Sequence, residues 1–191
     1  MQNGSNQKYS KSYNNYEIIC DIDRNIINYG NKIVIHRSTT TNFNQQENLV
    51  VLECVDRILN MGYKPETIEL EKAYGSGRKE KGQFLDILLK KENGAAFALI
   101  ECKTFGEKHN KERIKMEKHG GRLFNYFANQ KDADFLILYS CDIKDKKRYR
   151  CDIVKTTNLK NLPDTKTIMK EWDKTKAKLF MIFNLELERK I

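Results

Sequence analysis

Two apolar runs, QFLDILLK (83–90) and AAFALIECK (95–103), are separated only by KENG. Runs of this length, joined by a short turn ending in Gly94, predict the two antiparallel strands of a hairpin. Charged residues stand inside them. Asp86 lies between Leu85 and Ile87, and Glu101 and Lys103 flank Cys102. Side chains alternate along a strand, so Glu101 and Lys103 share one face and Cys102 takes the other. Leaving an ionised group among apolar neighbours costs roughly several kcal/mol unless it is paired or metal-bound. These three charges therefore need partners, and the hairpin supplies them to one another.

The flanking text fixes the surroundings. TIELEKAY (67–74) alternates as a strand does, and GSGRKEKG (75–82) reads as a loop. Upstream, Asn44 with Glu47 makes a capping-box pattern, and Val51, Cys54, Val55, Ile58 and Leu59 repeat at helical spacing until Gly62. NKIVIH (31–36) predicts a short strand. Downstream, 107–130 is helical but interrupted by Gly120-Gly121, with Leu123, Phe124 and Phe127 as an apolar stripe. DFLILYS (134–140) reads as a buried strand and RYRCDIVKT (148–156) as a last one. Pro163-Asp164 opens a final helix through about Lys178. The expected order is helix, three strands, helix, strand, with a strand and a helix appended. That is an α/β domain spanning 31–191, preceded by a polar, mobile segment over 1–30.

Lys and Arg number 35 against 26 Asp and Glu, a net charge of +9 that favours a polyanionic partner such as nucleic acid. No apolar run approaches a membrane span and the amino terminus is polar, so the expectation is a cytoplasmic protein without a membrane partner. The five cysteines form no CxxC pair and are odd in number, which argues against a disulfide framework. His36, His109 and His119 lack metal-ligand spacing, so zinc is not expected.

Two carboxylates and an ammonium converging on a sheet edge can hold a hard divalent cation and a water. Asp86 and Glu101 would take Mg²⁺, or Mn²⁺ in its place, aided by the backbone carbonyl of Cys102. The metal would polarise a phosphodiester, and Lys103 would orient or deprotonate the attacking water, or steady the developing charge. The alternative is an ion pair that satisfies only itself. Helical spacing puts Glu47 on the inward face with Val51, Cys54 and Val55, whereas Glu53 falls beside Asp56, Arg57 and Asn60 on the wet face. Glu47 either joins the site or only completes the capping box.

Asp in the first strand of a hairpin and Glu-x-Lys in the second, between two helices, resembles the PD-(D/E)xK nuclease superfamily, with Leu85 where its Pro usually stands. The ordered segments QENLVVLECVDRILNMGYKPETIELEK, FLDILL, ALIECKTFGEK, GGRLFNYFANQ and FLILYS resemble the amino-terminal nuclease domain of type I and related restriction–modification enzymes. The resemblance covers about half of the chain. It implies a restriction-endonuclease-like αβββαβ core with a mixed central sheet flanked by helices, Mg²⁺-dependent cleavage of double-stranded DNA, and methyltransferase, translocase or specificity parts as partners. It also implies that a first-helix glutamate, here Glu47, joins the catalytic set.

The family's Gln-x-x-x-Tyr becomes Arg122 to Tyr126, so Arg122 is read as a phosphate contact or as the mark of an altered metal site, and the retained Tyr126 as a further DNA-contact candidate. Arg78, Lys79 and Lys81 of the basic loop are further candidates for touching DNA backbone. That loop is no nucleotide-binding loop, because Gly82 is followed by Gln83-Phe84 and then a strand. The rival expectations are a nuclease of the same fold acting on branched DNA or RNA, and a silent DNA-binding or assembly domain.

Overall fold

A computed structural model describes residues 7–75, 83–145 and 148–179, with 173–179 described by backbone alone. The main sheet has six strands in sequence order: β4 (Val34–Ile35), β5 (Ile68–Tyr74), β6 (Gln83–Lys90), β7 (Ala96–Thr104), β8 (Phe135–Cys141) and β9 (Tyr149–Lys155). It is mixed: β4–β5 and β7–β8 are parallel and the remaining pairs antiparallel. A parallel pair cannot be joined by a tight turn, and the β7–β8 crossover is made by α2 (Glu107–His119) and α3 (Gly121–Asn129).

Helices cover both faces of this sheet. On one face α1 (Gln46–Asn60) packs Val50, Val51 and Val55 with Leu70, Ile87, Ile100 and Ile137. On the other, α3 and α4 (Thr165–Leu179) bury Leu123, Phe127 and Trp172 with Leu85, Leu99, Leu136 and Leu138. Strands covered on both faces read as nearly continuous apolar text, which is why the hairpin and DFLILYS are so conspicuous in the sequence.

The expectation of a mobile segment over 1–30 is corrected for its described part. β1 (Lys8–Tyr13), β2 (Tyr16–Asp21) and β3 (Ile26–Asn28) form a second, antiparallel sheet. A tight turn joins β1 to β2 with Asn14 in the left-handed region at φ 51°, which Asn tolerates better than most residues. Tyr16, Ile18, Ile27 and Tyr29 are buried in the same core as α1, and Lys11 pairs with Asp56 of that helix at 2.5 Å. A solvent-facing strand, β1, made the segment look structureless; the apolar alternation is confined to β2 and β3.

The start of α1 also differs from expectation. Gln45, not Asn44, is the N-cap, and no side chain caps the helix. Asn44 instead accepts a hydrogen bond from Asn25 at 2.6 Å, and Glu47 is thereby left to face the sheet. The break within 107–130 falls where expected. Gly120 closes α2 at φ 80°, and a Cβ there would lie 2.3 Å from that of Phe124.

Candidate active site where β6 and β7 separate

β6 and β7 pair from Lys90↔Ala96 to Ile87↔Ile100. One residue further along β6, the side chain of Asp86 takes over: its Oδ2 accepts the Cys102 backbone N–H at 2.6 Å. A carboxylate has replaced a ladder carbonyl, and beyond this point the strands diverge. The divergence opens a cavity of about 460 Å³ whose lining includes Glu47, Glu71, Asp86, Lys103, Arg122 and Thr40.

Glu101 is fully buried beside it. Its Oε1 receives both Lys103 Nζ at 2.8 Å and Arg122 Nη1 at 2.9 Å, while its Oε2 finds no hydrogen-bond donor among the described residues. Lys103 Nζ also donates to the Cys102 carbonyl at 2.8 Å and to Glu47 Oε1 at 3.0 Å. Asp86, Glu101, Lys103 and Glu47 are thus brought together, and the Lys103 ammonium is held by Glu101, Glu47 and the Cys102 carbonyl while Asp86 holds the Cys102 N–H. Among the described residues no group of three or more His, Cys, Asp and Glu side chains is arranged to hold a metal ion. The geometric reason is that the Glu101 and Glu47 carboxylates are turned to Lys103 and Arg122.

The electrostatics follow from this crowding. Burial, and then the Glu101 charge, push the Asp86 carboxyl well above the usual carboxylate range. Burial alone would pull the Lys103 ammonium down, but Glu101 and Asp86 outweigh it and hold it above an ordinary lysine. The Glu101 charge likewise raises Arg122.

One residue of the cleft went unforeseen. Glu71 lies opposite Asp86, between the register pairs Leu70↔Ile87 and Lys72↔Leu85. It is buried, accepts a hydrogen bond from Thr39 Oγ1 at 3.1 Å, and has φ 55°. Within an alternating TIELEKAY nothing marks a left-handed residue. Thr40 is a second: its hydroxyl is buried with no hydrogen-bond partner among the described residues.

Two expectations need revision, and a third falls outside the described residues. Glu53 is not on a wet face: it is buried, pairs with Arg57 at 2.5 Å, and accepts the hydroxyl of Tyr139 from β8. Tyr126 cannot meet DNA as expected, because it is fully buried and donates its hydroxyl to the Phe84 carbonyl at 2.7 Å. Arg78, Lys79 and Lys81 lie outside the described residues.

The chain matches no protein-family model and no curated protein. Among the described residues no helix is long and apolar enough to cross a membrane.

Proposed function

We propose that this chain is a metal-dependent DNA endonuclease domain with the PD-(D/E)xK core, of the kind found in restriction–modification enzymes. The observation that carries the reading is the meeting of Asp86, Glu101, Lys103 and Glu47 at the point where β6 leaves β7. The donors fit a hard divalent cation such as Mg²⁺: all are oxygens, and Glu101 Oε2 is buried without a partner. Asp86, Glu101 and the Cys102 carbonyl would hold the cation, with Glu47 beside them. The cation would supply Lewis-acid polarisation of the phosphodiester and acidify a bound water. Lys103, charged and held by three oxygens, fixes the position of Glu101 and Glu47 and offers a proton donor or charge partner to the reacting phosphate. Double-stranded DNA is the substrate of this reading, and target recognition would fall to methyltransferase, translocase or specificity parts.

Nicking of supercoiled plasmid in Mg²⁺ or Mn²⁺ tests it. Asp86→Asn and Lys103→Ala should each lower the rate by at least about a hundredfold, the scale on which transition-state charge partners act. Asp86 is held in the fold with a raised pKa, so ionising it at neutral pH costs the folded state, and Asp86→Asn should melt no lower than the wild type. No metal-dependent nicking by the wild type, in the presence of any such partner subunits, would overturn the reading in favour of a silent binding domain.

A further inference from the structure

The two cations on Glu101 are not equivalent. The Lys103 side chain is 14% exposed and held by Glu101, Glu47 and the Cys102 carbonyl, so its ammonium has nowhere better to go. The Arg122 side chain is 52% exposed and its guanidinium touches only one carboxylate oxygen of the cluster. Its backbone, by contrast, is fixed. Gly121 at φ 57° abuts the buried Glu112, whose Oε1 lies 3.4 Å from the Arg122 N–H as its acceptor. A guanidinium on a rigid base, half in solvent, can leave Glu101 for a better anion. A phosphodiester is such an anion, since it accepts the planar fork in pairs of hydrogen bonds.

While Arg122 stays on Glu101 it opposes a divalent cation twice. It takes a lone pair on Oε1, and it places a positive charge where another must enter. We infer that Arg122 couples cation loading to nucleic-acid binding: it occupies Glu101 in the free protein and is handed to a substrate phosphate when the duplex docks. Arg122 is then a positioning residue that suppresses an armed metal centre in the absence of substrate. This rests on the nuclease reading above, and it adds an order to the loading of the site.

Binding of Mn²⁺, followed by the electron paramagnetic resonance of the free ion, tests it without recourse to activity. Arg122→Gln and the unbranched, uncharged Arg122→Met should each bind Mn²⁺ about tenfold tighter than the wild type without DNA, within the usual range of coupling. A short duplex oligonucleotide should tighten the wild type by about tenfold more than it tightens either variant, in which only the phosphate's own contact with the ion remains, after subtraction of a Glu101→Gln blank that reports ions held by DNA. Thermal melts of both variants check that they fold. Equal Mn²⁺ affinity in the wild type and the variants overturns the coupling while the nuclease reading stands. Tighter variants, but a duplex that tightens the wild type no more than the variants, overturn the hand-over to phosphate. Absence of any Mn²⁺ binding sensitive to Glu101→Gln overturns the metal centre and this inference together.

Discussion

Glu71 holds a backbone conformation that costs a residue with a Cβ roughly 1–2 kcal/mol. Its carboxyl is buried against Asp86 and Glu101, and burial raises its pKa. Neither feature helps the fold, and strain of this kind persists where surrounding structure imposes it, often in a functional cleft. Two substitutions separate backbone from carboxyl. Glu71→Gly relieves the strain and Glu71→Ala does not, so the glycine variant should be the more stable by about 1 kcal/mol in urea unfolding. Both lose the carboxyl, and both should lower plasmid nicking alike. Equal stabilities would mean that the backbone of β5 is not strained at this position.

At the scale of elements, the joint between α2 and α3 decides where Arg122 is presented. Gly120 closes α2 in the left-handed region, the next residue starts α3, and Phe124 folds back over Gly120 so tightly that no Cβ fits. Gly120→Ala should therefore destabilise by about 2 kcal/mol or more, combining a wrong φ with overpacking. Chemical denaturation measures it. The partner elements are held by side-chain bonds that cross long stretches of sequence: Glu53 on α1 to Tyr139 on β8, and Tyr126 on α3 to the Phe84 carbonyl on β6. Each ties a helix to a strand of the main sheet, and neither could be placed without knowing its distant partner.

Over the whole molecule, one buried carboxylate joins three strands of the sheet edge. Glu69 on β5 meets Lys90 of β6 at 2.6 Å, His36 next to β4 at 2.9 Å, and Lys72 at 3.5 Å. Burial pushes its pKa up, but Lys90, His36 and Lys72 outweigh this and lower it from 4.5 to about 2. A depressed acid stabilises the fold above its unfolded pKa, and that contribution fades as pH falls through the folded value. Wild type should thus melt above Glu69→Gln at neutral pH, with the gap closing as pH is lowered from 4.5 towards about 2. A gap independent of pH would show that packing, not charge, is what the substitution removes.

Local text was enough for the hairpin and its charges, because a two-residue period and turn chemistry act between near neighbours. It was enough for the break at Gly120-Gly121 as well, where the missing Cβ is itself the signal. The α/β class follows from the order of such segments, and the pairing that makes the sheet mixed is set by the fold. Tertiary structure alone decided the rest. β1–β3 acquire their fold by packing on α1, Glu53 is buried because Tyr139 reaches it, and Glu71 turns left-handed opposite Asp86. Above all, the sequence placed Asp86, Glu101 and Lys103 on one hairpin, while only the folded chain could bring Glu47 to Lys103 and Arg122 to Glu101. Contacts between residues far apart in sequence carry no periodic trace, and it is those contacts that make a site of the three charges.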